Sequence, residues 1–384
     1  MFCDRFFKDD KLNLDWDYID SIPEFAKLKE CQQNPVWHGE GNAYEHTRKC
    51  IEALEKIVVS GSSNRVLKIA VLFHDIGKCV TTTFAKGNWH SYGHEIESEK
   101  ITRRILWNED IDCRERVCRL VRWHMDALKI FESKNLFDSF YKLVTHVDEI
   151  SDLYRVKLCD ILGSDMQNQE VKKLNIKQIE YLNKLGMLQH DSAKVFPIID
   201  AMYCNGKHYL ADKKSMPTVV MMIGLPGSGK NTYIDEKYAK DNTKSWVILS
   251  RDDIRYELGF CEKDEKVVLS PKNEGIVTEV FNERLINAVK ENKNVVINNI
   301  NLKRKYRDGY KELLKPYNVW YDYVYVEAPT LEDNIERRKG QISAQVFEQM
   351  IDKFDFPTVE EYQTLYIYKQ KNEKSIKTNK GRKS

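Results

Sequence analysis

Two domains of different class are predicted by the sequence, an all-α domain followed by an α/β domain with a parallel sheet. The chain has 384 residues, which is long for a single domain. From about residue 44 to 200 the apolar residues recur at helical spacing, as in EHTRKCIEALEKIVV. After residue 216, short β-branched runs alternate with amphipathic segments, which is typical of strand–helix–strand units. We therefore expect domains at 1–215 and 216–384.

The composition is that of an ordinary globular protein, with 42% hydrophobic and 31% charged residues. The formal net charge of +2 does not by itself indicate a nucleic-acid partner, although a basic groove is compatible with a neutral total. The nine cysteines form no CxxC pair, and no apolar run approaches the length that spans a membrane. We expect a reduced, cytoplasmic protein without a membrane span, and the sequence leaves the oligomeric state open.

A glycine-rich loop follows the first strand of the second domain. GLPGSGK at 224–230 comes after TVVMMI and before an amphipathic stretch, so G-x-x-x-x-G-K stands in its strand–loop–helix context. The backbone N–H groups of such a loop surround phosphate oxygens, and Lys230 can reach the β- and γ-phosphates. The predicted nucleotide-binding residues are Gly224, Pro226, Gly227, Ser228, Gly229, Lys230, Asn231 and Thr232. The expected ligand is ATP, or another nucleoside triphosphate, with Mg²⁺.

This nucleotide site departs from the usual pattern at positions that normally serve Mg²⁺. Asn231 stands where Ser or Thr usually follows the lysine, and Asn298 and Asn299 end the third strand where an aspartate is common. An amide oxygen is a weaker magnesium ligand, so phosphates and water would hold more of the ion's shell. The asparagines argue against a motor-type ATPase and favour a kinase that positions a substrate.

Acidic and basic residues follow the later strands of this domain. In SRDDIRYELG, Asp252 is the candidate general base and Arg255 is placed to hold an acceptor phosphate. The alternative is that the two aspartates simply start a helix. Arg337 and Arg338, in EDNIERRKGQIS, are candidates to close over the triphosphate, with a solvated helix face as the alternative.

The N-terminal domain contains a histidine and an aspartate side by side at 74–75. The segment RVLKIAVLFHDIGK is apolar nearly all round, so the pair should lie buried near the end of a helix. Burial of the Asp75 carboxylate without a compensating charge would destabilise the folded protein by roughly several kcal/mol. Other histidines and aspartates stand on inward helical faces or beside them. The metal-ligand candidates are His46, His74, Asp75, His94, His124 and Asp148.

Neutral imidazoles and carboxylates suit Mn, Co, Ni, Zn or Fe, so these residues predict one or two divalent transition metals. His46, His74, Asp75 and Asp148 would form one shell, and Asp75 would bridge to a second ion at His94 and His124. Asp152 is the rival for the last ligand of the first shell. His38 and His90 are alternatives as structural or substrate-contacting residues. Lys78 either stabilises charge on a phosphate or is a cation at a helix C-terminus.

The strings WHGEGNAYEHT, LFHDIGK and HSYGHE, over about residues 35–165, resemble the HD phosphohydrolase superfamily. They are similar to the HD domains of bacterial tRNA nucleotidyltransferases and to the HD module fused to a polynucleotide kinase. The resemblance implies a metal-dependent attack of water on phosphorus. It also implies a metal role for His46, His74, Asp75 and Asp148, followed by His94 and His124.

Residues 216–365 resemble the kinase domain of phage-type polynucleotide kinases, through the Gly-rich loop, SRDDIR, INLK, the arginine-containing lid and FDFPTVEEY. The two resemblances imply a bifunctional enzyme that heals RNA or DNA ends, in partnership with a nucleic-acid ligase. It would phosphorylate 5′-OH ends and remove 2′,3′-cyclic, 2′- or 3′-phosphates. The alternatives are a nucleotide-metabolism enzyme and a protein in which one domain only binds.

Overall fold

The computed structural model describes residues 3–57, 63–186, 216–241, 245–262 and 269–370. The chain forms two compact units, Met1–Gly206 and Lys207–Ser384. The expectation of one helical and one α/β unit is confirmed. The boundary that we expected near residue 215 lies outside the described residues.

The first unit is built from helices, with one short antiparallel hairpin. Its helices are α1 (Trp16–Asp20), α2 (Pro23–Leu28), α3 (Ala43–Lys56), α4 (Ser63–Phe73), α5 (Lys78–Thr81), α6 (His94–Ile105), α7 (Ile111–Trp123), α8 (Asp126–Lys129), α9 (Leu136–His146), α10 (Ile150–Gly163) and α11 (Gln169–Gly186). The hairpin consists of β1 (Thr83–Ala85) and β2 (Asn88–His90). Every helix in the described ranges is too short or too polar to cross a bilayer.

Helix α4 lies at the centre of this unit and positions the histidine–aspartate pair. Its described side chains from Val66 to Phe73 are almost all fully buried, as its all-round apolar sequence predicts. The helix ends at Phe73, before the pair that we expected it to contain. His74 and Asp75 therefore occupy the buried turn between α4 and α5 and not the helix itself.

A buried ion-pair network joins α6 to α7 away from this turn. Glu115 accepts hydrogen bonds from Arg103 Nη2 at 2.9 Å and from Arg114 Nε at 2.8 Å, and all three side chains are buried. The two guanidiniums hold the pKa of Glu115 at about 2 against the opposing effect of burial. Each charge is compensated, so the network ties the two helices together.

The second unit is an α/β layer structure around a parallel sheet. Its strands are β3 (Thr218–Ile223), β4 (Trp246–Leu249), β5 (Asn294–Ile297), β6 (Trp320–Glu327) and β7 (Thr364–Lys369). Its helices are α12 (Lys230–Ile234), α13 (Arg251–Glu257), α14 (Pro271–Lys290), α15 (Arg304–Leu314), α16 (Leu331–Arg337) and α17 (Ala344–Asp352). The first four strands are those that the sequence predicts, whereas β7 was not expected.

The strand order places the glycine-rich loop at the centre of the sheet. The order is β4-β5-β3-β6-β7, and every neighbouring pair is parallel. The chain therefore first extends to one side of β3 and later to the other, which makes the carboxyl end of β3 a topological switch point. Open α/β sheets bind ligands at such a point, and Gly224–Lys230 follows β3 directly.

Candidate active sites

Asp75 lies at the centre of a buried histidine cluster in the first unit. Its Oδ2 is 3.3 Å from His74 Nε2 and 3.6 Å from His46 Nε2. Its Oδ1 is 3.1 Å from His94 Nε2 and 3.9 Å from His124 Nε2. The two carboxylate oxygens thus face two different pairs of histidines, an arrangement that suits a bridging ligand.

Three of these histidines are oriented in the same way. The Nδ1 atoms of His74, His94 and His124 lie 2.7, 2.9 and 2.7 Å from the backbone carbonyl three residues earlier. Because a carbonyl can only accept, each Nδ1 carries a proton, and the Nε2 atom of each ring faces the cluster, where it can bind a metal once it has no proton. Nε2 of His74 is buried and has no hydrogen-bond partner among the described residues.

Asp160, and not Asp148, completes this cluster. Asp160 Oδ1 lies 3.1 Å from His46 Nε2 and 4.0 Å from His74 Nε2. The side chain of Asp148 is 44% exposed and pairs with Arg119 instead. The structure therefore corrects our assignment of Asp148 as the last ligand of the first shell.

The register of α10 explains this correction. Asp148 precedes the helix, which begins at Ile150, whereas Asp160 continues the buried face that contains Leu153 and Val156. The rival, Asp152, is buried but pairs with arginines, one of them at 3.0 Å. The signal that the sequence analysis missed is an aspartate inside the apolar string KLCDIL.

Glu40 orients two histidines from a loop before α3. Its Oε1 lies 2.7 Å from Nδ1 of His46 and 2.8 Å from Nδ1 of His38. Cys50 Sγ lies 3.4 Å from Nε2 of His46, on the next turn of α3. The sequence analysis identified neither Glu40 nor Cys50. The other weaker histidine, His90, lies on the hairpin with Nε2 3.2 Å from a backbone carbonyl.

Both aspartates of the cluster are held in their ionised form. Burial would raise the pKa of Asp75, but His74 and Lys78 hold it well below the usual range. Burial also raises the pKa of Asp160, but Lys157, His46 and His74 together hold it well below the usual range. Two carboxylates are therefore available as anionic ligands.

The histidines differ in their protonation. Burial and the neighbouring histidines hold the pKa of His124 well below its usual range, and burial lowers the pKa of His38 to about 4. Burial also lowers the pKa of His46, but Cys50, Asp160 and Glu40 together raise it well above the usual value. His124 is therefore neutral, as a metal ligand must be, whereas a metal at His46 would displace a proton.

Two lysines reach the ligand carboxylates. Lys78 Nζ lies 2.7 Å from Asp75 Oδ2 and donates to Gln33 Oε1 at 2.6 Å. Lys157 Nζ donates to Asp160 Oδ2 at 2.6 Å. Lys78 is the first residue of the four-residue helix α5. Lys157 was not identified from the sequence.

The glycine-rich loop of the second unit encloses Lys230. Its Nζ donates to the carbonyls of Gly224 and Leu225, both at 2.9 Å. Gly229 has φ of +95°, and a Cβ at this position would lie 1.9 Å from Nε2 of Gln370. The positive φ favours glycine at this position, and the side chain of Gln370, which follows β7, closes against the loop.

The asparagines that depart from the usual pattern are paired with each other. Asn298, after β5, donates through Nδ2 to Asn231 Oδ1 at 3.0 Å. Asn299 accepts from the backbone N–H of Arg251 at 3.2 Å. Thr232 lies exposed in the first turn of α12. The amide pair thus connects the two positions that commonly carry a hydroxyl and a carboxylate.

Asp252 and Arg255 come together at the start of α13. Arg255 pairs with Asp252 and donates to Glu274 Oε1 through Nη2 at 2.6 Å and Nε at 3.0 Å. The side chain of Asp252 is 88% exposed, so a substrate can approach it freely. Glu274, which the sequence analysis did not identify, therefore shares Arg255 with the candidate base.

The two candidate lid arginines lie against the glycine-rich loop. Arg337 Nη1 donates to Gly227 O at 2.9 Å and to Gln370 Oε1 at 2.6 Å. Burial, with the positive charge of Arg338, lowers the pKa of Lys230 to about 7. Three cationic side chains thus converge where a triphosphate would lie. The loop itself contains Pro226, whose carbonyl accepts from Asn334, and Ser228, which is buried.

Family models match both units. One described as an HD domain matches residues 43–163, which span His46 to Asp160. One described as an AAA domain matches residues 219–357, which include the whole glycine-rich loop. Residues 43–163 are thus similar to HD domains, and residues 219–357 are similar to AAA domains.

Curated relatives match parts of the chain. A multifunctional CCA protein of Halorhodospira halophila is 31% identical over 113 residues, which cover 29% of this chain and 26% of that protein. A bifunctional uridylyltransferase/uridylyl-removing enzyme of Cereibacter sphaeroides is 27% identical over 164 residues, 37% of this chain and 16% of that protein. The matches thus span about a quarter or less of these relatives.

Solved structures also match parts of the chain. One is the Pnkp1/Rnl/Hen1 RNA repair complex, with 21% identity and a TM-score of 0.31 over 39% of this chain and 50% of that chain. Another is the complex of a Mycobacterium tuberculosis APS kinase with AMPPNP and APS, with 15% identity and a TM-score of 0.30 over 40% of this chain and 88% of that chain.

The donors of the HD domain fit divalent transition metals. Possible ligand atoms converge within 4.8 Å in three groups of the described residues. These are His46, Cys50, His74 and Asp160; His38, Glu40 and His46; and Asp75, His94 and His124. Imidazole and carboxylate are ligands for Zn, Mn, Fe, Co and Ni. The unpartnered Nε2 of His74 gains a partner if a cation binds.

A cavity of about 220 Å³ opens beside these donors. Asp75, His94 and His124 contribute to its wall, together with Lys78 and Lys157. A phosphate that enters this cavity would meet both the candidate metal ligands and the two ammonium groups. The cavity therefore brings candidate metal ligands and two cationic side chains together beside one space.

Proposed function

We propose that this protein heals the ends of broken nucleic-acid strands, most suitably RNA. Its kinase domain would phosphorylate 5′-OH ends, and its HD domain would remove 2′,3′-cyclic, 2′- or 3′-phosphates. The observation that carries the proposal is the presence on one chain of the Asp75-centred cluster and the loop around Lys230. Repair of a broken strand needs two activities, the removal of a phosphate from one end and the addition of a phosphate to the other.

In the HD domain, His46, His74, Asp75 and Asp160 would hold one ion, and Asp75, His94 and His124 a second. Divalent ions held there lower the pKa of water and offset charge on phosphate oxygens.

Lys78 and Lys157 already point their ammonium groups at the ligand carboxylates. They would turn to the phosphate oxygens when substrate enters, because a cation at the carboxylates weakens their present ion pairs. The buried walls exclude bulk water and strengthen these charge interactions.

In the kinase domain, Lys230 would grip the β- and γ-phosphates within the loop, and Mg²⁺ would accompany the nucleotide. Asp252 would accept the proton of the 5′-hydroxyl. The hydroxyl oxygen would bond to the γ-phosphorus as the bond between that phosphorus and the nucleoside diphosphate breaks. Arg255 would hold the acceptor phosphate, and Arg337 and Arg338 would neutralise charge on the transferred group. ATP or another nucleoside triphosphate is the proposed donor.

The products of the two reactions are a 5′-phosphate and a 3′-hydroxyl, which are the substrates of a nucleic-acid ligase. We therefore propose a ligase as the functional partner. The eight cysteines of the described residues are all free thiols, which suits the cytoplasm that we propose as the compartment.

The proposal is tested with an oligoribonucleotide that bears a 5′-OH and a 2′,3′-cyclic phosphate, incubated with ATP, Mg²⁺ and Mn²⁺. We expect Lys230→Ala to lose only 5′ phosphorylation. We expect Asp75→Ala to lose only the 3′-end reaction. Each variant should retain the activity of the other domain, and this retained activity shows that the variant protein is folded.

The matched DNA oligonucleotide separates RNA from DNA preference. If neither end of either strand reacts and mononucleotides turn over instead, the nucleotide-metabolism alternative replaces end healing. If only one end reacts, the silent domain serves as a binding module.

A further inference from the structure

The wall of the cavity beside the Asp75-centred cluster contains side chains of two kinds. The charged part consists of candidate metal ligands and the two lysine ammonium groups. The apolar part consists of Trp37, Met125, Leu128, Ile161 and Met166. The proposed hydrolysis uses only the charged side chains, so the apolar part of the wall needs a separate explanation.

Trp37 is the flat and accessible component of that wall. It is 46% exposed although it belongs to the cavity lining. An indole ring of this kind is large, rigid and apolar, and it commonly packs against ligands. Ile161 of α10 and Met166 after it also line the cavity, so its apolar part offers a surface against which a planar group can pack.

The loop that carries Trp37 is held on both sides of the ring. The backbone N–H of Gln167 donates to Val36 O at 3.1 Å, and the N–H of Gly39 donates to Asp165 O at 3.1 Å. A Cβ at Gly39 would lie 2.8 Å from the same carbonyl, so glycine permits this close approach. The indole is thus positioned in advance, which reduces the entropy lost when a ligand binds.

We propose that this cavity is a nucleoside site, in which the base stacks on Trp37 while its phosphate lies at the Asp75-centred cluster. This inference rests on the proposed function of the HD domain and specifies its substrate class. A phosphate ester without a base would use the charged wall and leave the indole without a partner. Asn175, on α11, also lines the cavity and offers amide groups that match the polar edge of a base.

The proposal predicts discrimination between two otherwise identical substrates. One oligoribonucleotide ends in a normal 3′-phosphorylated nucleotide, and the other ends in an abasic 3′-phosphorylated ribose. Because stacking of a base on an aromatic side chain strengthens binding about ten- to a hundredfold, we expect the full-length protein to show a kcat/KM ratio of that size. The difference should lie mainly in KM, since the phosphate reaches the same ligands in both cases.

Substitution of Trp37 tests which residue produces this ratio. We expect Trp37→Ala to reduce the ratio about tenfold or more, and Trp37→Phe to retain part of it. Phe84→Ala removes another exposed aromatic side chain of the same domain, one that does not line the cavity, and should leave the ratio unchanged. Thermal unfolding of each variant verifies that the fold is intact.

The outcomes separate the two proposals. If the wild type hydrolyses both substrates equally, or if Trp37→Ala slows both by the same factor, the nucleoside site is refuted and the hydrolytic function stands. If the wild type hydrolyses neither substrate with Mn²⁺ present, the proposed HD function is refuted and the nucleoside site with it.

Discussion

The assignment of Asp160 as a metal ligand can be tested by comparing Asp160→Asn with Asp148→Asn. Both changes remove one negative charge and keep the shape of the side chain. Asp160 faces His46 and Lys157 inside the cluster, whereas Asp148 pairs with Arg119 at the surface. The structure therefore predicts a large effect for the first variant and a small one for the second.

The expected sizes follow from burial and from metal linkage. Asp148→Asn should cost no more than about 1 kcal/mol of unfolding free energy, the usual value of an exposed ion pair. Asp160→Asn leaves the buried ammonium of Lys157 unpaired, which costs about 3–5 kcal/mol. A metal at a hundred times its Kd stabilises the folded protein by about 2.7 kcal/mol. If loss of Asp160 weakens binding about a hundredfold, only about 0.4 kcal/mol of that stabilisation is left.

Thermal unfolding with and without Mn²⁺, and the amount of metal bound per chain, measure these quantities. For a domain of this size, about 2.7 kcal/mol corresponds to a rise of roughly 5–10 °C in Tm. We expect that rise in the wild type and in Asp148→Asn, and almost none in Asp160→Asn. If Asp148→Asn loses the response to Mn²⁺ while Asp160→Asn keeps it, the assignment from the structure is wrong.

Three further predictions concern the nucleotide loop and the buried ion pairs. Between pH 6 and pH 8 we expect ATP affinity to fall about tenfold, because Lys230, with a pKa of about 7, loses its proton in this range. A titration with a fluorescent ATP analogue measures the affinity, and Lys230→Arg should remove its dependence on pH. Glu115→Ala should cost about 3–5 kcal/mol in urea unfolding at pH 7. In the wild type, the stability that Glu115 contributes should be present above pH 4.5 and be lost as the pH falls towards 2, because its pKa is lowered. Gly229→Ala should weaken ATP binding at least tenfold, because its Cβ meets Gln370 and its φ is positive; equal affinity would show that the loop adjusts.

Local patterns were enough to predict much of the fold. The switch from helical spacing to short β-branched runs predicted both domain types, and four strands of the sheet lie where those runs stand. The strand β7 was missed although TLYIYK contains the aromatic and aliphatic residues that are typical of strands. Its place beside β6 comes from pairing, which depends on a neighbour distant in sequence.

The same distinction holds for the nucleotide loop. The motif predicted where phosphates would bind, because the spacing of its glycines and lysine is itself the local structure. The pairing of Asn231 with Asn298 joins residues that are 67 positions apart, and the contact of Gln370 with Gly229 joins the loop to the end of β7. No local spacing predicts either contact.

The histidine–aspartate cluster shows most clearly what the sequence determined and what it did not. Helical face pointed to His46 and His124, the apolar run before them pointed to His74 and Asp75, and the resemblance to HD domains added His94. The last aspartate required the fold. Asp148 and Asp160 both lie near apolar positions, and only the start of α10 at Ile150 and its packing against α3 decide which of them reaches His46. A ligand shell is a condition on distances in space, and such distances are set by how helices pack.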